Sequence, residues 1–144
     1  MQEQNFKNHA RYVPVYHFIL WAIILGVIVL AIINLISAFK NDSGLLQPVM
    51  LVLIAISLSI SAVLIRTFPL AAQDRAIRAE ENLRYFSLTG KLLDSRLSLS
   101  QIIALRFAPD NEFVTLADHA LKENLSNSDI KKAIQHWKAD HHRV

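Results

Sequence analysis

Two long stretches without an Asp, Glu, Lys or Arg residue constrain the fold of this chain more than any other feature. The first covers residues 15–39 and the second covers residues 45–65. As helices they would be roughly 37 Å and 31 Å long, and the hydrocarbon core of a bilayer is about 30 Å thick. Each stretch is apolar on all sides of a helix, which predicts two transmembrane helices.

Two other interpretations of these stretches fit the sequence less well. A chain of 144 residues would have difficulty covering a core helix of a soluble protein on every side. A cleaved signal peptide usually has an apolar region of about 7–15 residues and a small-residue cleavage site after it. The first stretch is longer than that, and no such cleavage site follows it.

The short connection between the two stretches predicts a helical hairpin with a defined orientation. The connecting sequence "KNDSG" is typical of a tight turn, which brings the second helix back antiparallel to the first. Basic residues are concentrated before the first helix and after the second, so both termini should be cytoplasmic and the turn external. The expected segments are an N-terminal cytoplasmic segment (1–14), transmembrane helix 1 (15–39), an external turn (40–44), transmembrane helix 2 (45–66), a juxtamembrane helix (67–90) and a cytoplasmic helical region (91–144).

Small residues spaced four apart within the spans predict surfaces for close helix packing. They could pack the hairpin against itself or dock other membrane subunits. An amide deep in the first span could form a hydrogen bond across the hairpin or to a neighbouring chain. The predicted packing residues are Ala22, Gly26, Asn34, Ala55, Ser57, Ser59 and Ser61, and the arginines predicted to contact lipid headgroups are Arg11, Arg66, Arg75 and Arg78.

The segment after the second span predicts a helix from about Pro69 to Leu88, with Pro69 marking a kink or a new first turn. Its small and apolar residues step by four and three, which gives a heptad-like seam. This helix could pack against the protein's own C-terminal helices, project as a stalk, or lie along the membrane with its arginines on phosphates. The seam residues are Ala72, Ala76, Ala79, Leu83 and Phe86.

Three short amphipathic helices are predicted in the rest of the chain, with no sustained strand alternation. The expected N-caps are Ser98 or Ser100 for the first helix, Asp110 for the second and Ser128 for the third. The whole chain is therefore predicted to be an all-α membrane protein, in which a transmembrane hairpin is followed by a juxtamembrane helix and a small cytoplasmic bundle. The inward faces should contain Phe113, Leu116, Ala117, Ala120 and Leu121, and then Ile130, Ala133, Ile134 and Trp137.

Residues that could perform chemistry are few. The chain has no cysteine, no HExxH or GxSxG motif and no phosphate-binding loop. The C-terminal "HWKADHHRV" contains His136, Asp140, His141 and His142, but a terminal segment is a poor scaffold for a metal site. The net charge of +3 suits an anionic membrane surface better than nucleic acid. No catalytic, cofactor-binding or metal-binding residue is therefore assigned, and we expect no cofactor and no nucleic-acid partner.

Three segments carry a resemblance to a known family. The segments "QNFKNHARYVPVYHF", "FPLAAQDRAIRAEENLRY" and "LSLSQIIALRFAPDNEFVTLADHAL" are similar to those of small two-span bacterial inner-membrane proteins of unknown function. The resemblance covers nearly the whole chain and implies no activity or catalytic residues.

The sequence favours a non-enzymatic accessory or scaffold protein of the inner membrane, because membrane anchoring is strongly encoded and reactive residues are sparse. Its expected partners are the lipid bilayer and either other membrane subunits or further copies of the chain. One alternative is a membrane regulator or sensor, in which the Pro69 junction relays tilt of the spans to the cytoplasmic helices. Another is a small subunit that supplies two helices to a transporter or channel.

Overall fold

A computed structural model of the chain describes residues 5, 6, 8 and 12–140. Every regular element in this described part is helical, which confirms the predicted all-α class. A π-helical segment, Val15–Leu20, leads into α1, Trp21–Lys40. The remaining helices are α2 (Leu46–Thr89), α3 (Leu99–Leu105), α4 (Asp110–Lys122) and α5 (Asn127–Ala133).

The structure divides into two compact units. The hairpin unit is Tyr12–Phe68, and the helical unit consists of the described residues within Met1–Arg11 and Pro69–Val144. Helix α2 runs without interruption through Pro69, so the segments predicted separately as a second span and a juxtamembrane helix form a single helix. A proline inside a helix removes one backbone hydrogen bond, and here good helix formers such as leucine and alanine surround it.

Two alanines are buried on each helix of the hairpin unit, together with Ile24 on α1 and Pro48 on α2. Ala31 and Ala38 are buried on α1 with the same seven-residue spacing as Ala55 and Ala62 on α2. The Tyr16 hydroxyl donates a hydrogen bond of 2.7 Å to the carbonyl oxygen of Ala62, which joins the start of the first apolar stretch to the end of the second. Small side chains at seven-residue spacing allow neighbouring helix backbones to approach closely.

The turn of the hairpin unit follows a recognisable helix-ending geometry. Asp42 adopts a left-handed conformation with a φ of 49°, and the Ser43 N–H donates to the carbonyl of Ala38. This hydrogen bond joins residues five apart in the chain and encloses the left-handed residue, which is the geometry of the Schellman motif at the end of a helix. The predicted turn sequence thus ends α1 and allows α2 to begin at Leu46.

The helical unit has its own apolar core, built where α3 packs against α4 and α5. Phe107 and Phe113 are fully buried in it, and the Trp137 ring lies 5.0 Å from the Phe107 ring between centroids. Helix α2 contributes Tyr85, whose ring meets that of Phe113 edge to face at 5.9 Å. The other members of the core are Leu93, Leu97, Ile102, Ala104, Leu105, Ala108, Leu116, Ala117, Ala120, Ile130 and Ile134.

Helix caps fix the short helices, and the structure corrects two of the predicted caps. Ser98 caps α3 in a reciprocal capping box with Gln101, so it is Ser98 and not Ser100 that serves there. Pro109, not Asp110, is the N-cap residue of α4. The N-cap of α5 is Ser126 and not Ser128, because only the Ser126 hydroxyl accepts the Asp129 N–H.

Candidate functional site

The predicted packing residues of the spans lie at two kinds of position. Ala55 is buried and Ser59 is half-buried, so both belong to the inner face of the hairpin unit. The other five are exposed, and a Cβ built on Gly26 would meet nothing within 4 Å. Within the hairpin unit, Gly26 is therefore not needed for a close approach of backbones. The exposed five are Ala22, Gly26, Asn34, Ser57 and Ser61.

Two of the span serines satisfy their own hydroxyl groups. Ser57 donates to the carbonyl of Leu53, and Ser59 donates to the carbonyl of Ala55, both at 2.8 Å. Such bonds to the preceding turn let a serine sit in an apolar environment without an outside partner. These hydroxyl groups therefore do not need a hydrogen-bond acceptor on a neighbouring helix.

Asn34 differs from these serines. It lies on the rim of a groove of about 710 Å³ beside the turn, together with Ser37, Gln47 and Leu51. Among the described residues, nothing forms a hydrogen bond with the Asn34 side chain, and this side chain is exposed. The sequence predicts that Asn34 lies within a bilayer, where an unpaired amide is costly, and this prediction favours contact with another polar group.

The arginines predicted to contact lipid headgroups follow the apolar part of α2. Arg66 is half-buried, and Arg75 and Arg78 are exposed. None of these three forms an ion pair with a residue in the described ranges 5, 6, 8 and 12–140, so their guanidinium groups are open to an outside anion. Arg11 lies outside the described residues.

The C-terminal half of α2 buries the face opposite to the predicted seam. Ile77 and Glu81 are buried there, whereas Leu83 is 69% exposed and Phe86 is 49% exposed. The alanines of the seam are exposed as well. The expectation that this seam packs against the protein's own C-terminal helices is therefore wrong, and it forms an apolar surface strip instead. We call Ala72, Ala76, Ala79, Leu83 and Phe86 the α2 seam.

Arg84 ties α2 to the loop between α3 and α4. Its guanidinium donates to Glu81 at 3.0 Å, to the Ala108 carbonyl at 2.7 Å and to the Asp110 carboxylate at 2.7 Å. It also lies 4.3 Å from the centre of the Phe113 ring. Glu80 stands four residues before Arg84, a spacing that allows an ion pair within the helix, but the tertiary fold gives Arg84 these other partners.

Glu81 is the buried carboxylate of this cluster. Burial raises the pKa of the Glu81 carboxyl above its ordinary value, and the adjacent Arg84 guanidinium only partly opposes that rise. A buried ion pair of this kind fixes geometry more than it adds net stability. Glu81 and Arg84 therefore serve to hold α2 in place against the core.

The C-terminal segment after α5 is held by hydrogen bonds and an ion pair to the rest of the helical unit. The Glu112 carboxylate accepts the N–H groups of Gln135 and His136, at 2.9 and 3.0 Å, and contacts the His136 ring at 2.8 Å. Partial burial of Glu112 works against ionisation, but these donors lower the pKa of its carboxyl overall. Further along, the Lys138 N–H donates to the Phe107 carbonyl, and Asp140 pairs with Arg106.

Of the four residues weighed as metal ligands in the histidine-rich tail, two have partners within the helical unit and two are not described. His136 is engaged by Glu112 and Asp140 by Arg106, while His141 and His142 lie outside the described residues. No cluster of three metal-ligating side chains occurs among the residues whose positions are described. The role of Glu112 was not predictable, because its partners lie 23 and 24 residues away.

These features define an all-helical protein with two helices that are long and apolar enough to cross a membrane, Val15–Lys40 and Leu46–Thr89. The chain belongs to the Family of unknown function (DUF6526), which matches residues 1–144. This confirms the part of the predicted resemblance that concerns a family without an assigned function. No curated protein and no solved structure matches the chain.

Proposed function

We propose that the chain is an integral protein of a bacterial inner membrane, in which the hairpin unit anchors the helical unit as a non-enzymatic accessory or scaffold. The observation that carries this proposal is the outward display of apolar side chains along both helices of the hairpin unit. Leu30 and Ile65, for example, are 68% and 65% exposed. In water each exposed side chain of this size costs about 1.5–3 kcal/mol relative to burial, whereas in lipid the cost disappears.

The same exposure argues against a core helix of a soluble protein. Such a helix is surrounded by protein on all sides, but only Ile24, Ala31 and Ala38 are buried on α1. The bond from Tyr16 to the Ala62 carbonyl argues against a detachable signal sequence, because it ties the first apolar stretch to the second. These features favour a hairpin that stays together in the membrane.

The orientation follows from charge. Basic residues flank the start of the first span and the end of the second, and the turn contains Lys40 beside Asp42. By the positive-inside rule, both termini and the helical unit lie in the cytoplasm and the turn lies outside. Arg66, Arg75 and Arg78 are then positioned by sequence near the anionic inner leaflet.

A scaffold role fits the way in which the helical unit uses its polar groups. Arg84 and Glu112 are taken up by bonds that position α2 and the C-terminal segment, and Gln101 bonds the Leu125 carbonyl at 2.8 Å. Its surface in turn offers the apolar α2 seam, which is the kind of face that docks another protein. An exposed apolar face is what a scaffold needs in order to bind another chain.

A specific observation favours each alternative. The uninterrupted run of α2 through Pro69 suits a regulator that relays movement of the spans along one helix. The exposed amide of Asn34 suits a subunit of a transporter or channel, because a polar group on a lipid-facing surface is satisfied by a neighbouring helix.

Single-cysteine labelling in intact cells tests the anchor and its orientation. The chain has no cysteine of its own, and Gly44 and Ser128 are both exposed. A side chain at Gly44 would meet nothing within 4 Å, so Gly44→Cys is tolerated by the turn. A membrane-impermeant maleimide should label Gly44→Cys from outside and label Ser128→Cys only after the inner membrane is opened. The reverse pattern would overturn the orientation, and equal protection of both positions would contradict a spanning hairpin.

A further inference from the structure

The α2 seam is an apolar helix face that the described part of the chain leaves uncovered. At 100° per residue, its members lie within one sector of the helix, and Ile77 and Glu81 lie on the opposite side. The buried side of α2 holds the core of the helical unit, so the seam is free to contact something else. Leu83 and Phe86 supply most of its apolar area.

The spacing of the seam is that of a coiled coil. In heptad terms, Ala76 and Leu83 occupy a positions, and Ala79 and Phe86 occupy d positions. The seam is about two heptads long, and its alanines let two backbones come close. A short seam of this kind is weak in dilute solution, but anchoring in a bilayer raises the effective concentration of matching copies.

The charges beside the seam identify the occupant as a second copy in parallel. Arg75 is at a g position and Glu80 is at the following e position, and both are exposed. Two parallel copies in register place each Arg75 beside the Glu80 of the other copy, which gives two equivalent ion pairs. An antiparallel pair brings e positions together and g positions together, so Arg75 and Glu80 do not meet.

Neither charged group is used within the helical unit. In the described part of the chain, no ion pair involves Arg75 or Glu80, although Glu81 next door pairs with Arg84. Two copies inserted in one membrane with the same orientation also present α2 in the same direction, a step that rests on the proposed function. Charge, spacing and orientation therefore agree on one arrangement.

We propose that a second copy of this chain covers the α2 seam, so that residues 72–86 of the two copies form a short parallel coiled coil. The interface is closed and two-fold symmetric, as in most soluble dimers. It gives the scaffold two equivalent helical units held side by side.

Disulfide trapping tests the proposal in the full-length chain. Residues at a and d positions of a parallel dimer lie opposite their own copies, within reach of a disulfide. Oxidation of whole cells should therefore cross-link Leu83→Cys, and likewise Ala79→Cys, into a dimer of twice the chain's mass. Arg78→Cys is the matched control, because Arg78 is exposed on the same helix but at a c position. Equal cross-linking of Arg78→Cys, or a product of any other mass, would overturn the proposal.

A charge exchange tests the register independently of the cross-link. In the Ala79→Cys background, Arg75→Glu should place like charges together and reduce the yield of dimer about tenfold, and adding Glu80→Arg should restore it. Failure of the double variant to recover would contradict the parallel register. Fractionation after oxidation separates the two proposals. Monomer in the membrane fraction refutes only the dimer, whereas dimer in the aqueous fraction refutes only the anchor.

Discussion

Replacement of Arg84 by methionine should strongly destabilise the helical unit. Arg84→Met keeps a long side chain over the Phe113 ring but removes every bond from the guanidinium group. Glu81, which is 7% exposed, then loses its charged partner, and the fully buried Ala108 loses the donor to its carbonyl. Asp110 loses an ion pair too, but its side chain is 67% exposed and should contribute little.

The magnitude follows from these two buried groups. A buried charge that loses its partner costs about 3–5 kcal/mol, and a buried carbonyl without its donor costs about 1–3 kcal/mol. The two losses share one side chain and are not additive, so we expect a total of about 4 kcal/mol. A unit of this size has a free energy of unfolding of only about 4–11 kcal/mol, so a substantial fraction should unfold.

Urea unfolding of a fragment comprising residues 69–144 measures this effect. The fragment retains the entire apolar core of the helical unit, and Trp137 is its only tryptophan. Fluorescence therefore follows the contact between Trp137 and Phe107. Arg78→Met, at an exposed position on the same helix, is the control and should change the free energy of unfolding by less than about 0.5 kcal/mol. If Arg84→Met fell within about 1 kcal/mol of that control, the role assigned to the Arg84 bonds would be refuted.

Three further predictions concern the same fragment. Because burial raises the folded-state pKa of Glu81, its carboxyl stabilises the fold most below its ordinary pKa of 4.5, and this contribution is lost as the pH rises through the folded-state pKa. Relative to Glu81→Gln, the original chain should therefore lose stability as the pH rises from below 4.5 through the folded-state pKa, and a constant difference would contradict this. Ser126→Ala should lower the free energy of unfolding by about 1 kcal/mol through loss of the α5 N-cap, while Ser128→Ala should lower it by less than about 0.5 kcal/mol. Equal losses for the two variants would show that Ser126 is not the cap. Glu112→Gln should speed amide hydrogen exchange at Gln135 and His136, and unchanged exchange there would show that the carboxylate does not hold this segment.

The parts of the fold predicted from sequence are those set by continuous local patterns. The apolar stretches and the polar turn between them predict where α1 ends and α2 begins, because length and hydropathy alone determine these features. Facing residues such as Phe113 and Ile130 were likewise predicted from helical spacing, and both are fully buried. The predicted membrane location and orientation stay predictions.

The wrong assignment of the α2 faces has a different cause. Residues recur at helical spacing on both faces of this helix, and the apolar face was predicted to be the buried one. The structure instead buries Ile77 together with Glu81, whose charge is compensated by Arg84. That compensation depends on Asp110 and the Ala108 carbonyl, which lie more than 20 residues further along the chain. A pattern within one helix carries no information about such partners.

The α5 cap, by contrast, could have been found in the sequence. Ser126 is followed three residues later by Asp129, which is the S-x-x-[DE] pattern of a helix start. In the structure, the Ser126 hydroxyl accepts the Asp129 N–H and also contacts the Asp129 carboxylate at 2.6 Å. Ser128 has an acidic neighbour directly after it, but no acidic residue at the spacing that a cap requires.

The central claim is that the hairpin unit lies in a lipid bilayer, and extraction of isolated membranes with alkaline carbonate tests it most directly. Full-length chain should stay with the membrane pellet and be released only by detergent, because its two uncharged stretches, residues 15–39 and 45–65, exchange water for hydrocarbon. The fragment comprising residues 69–144 should appear in the aqueous fraction of the same preparation. Release of the full-length chain into the aqueous fraction without detergent would contradict the claim.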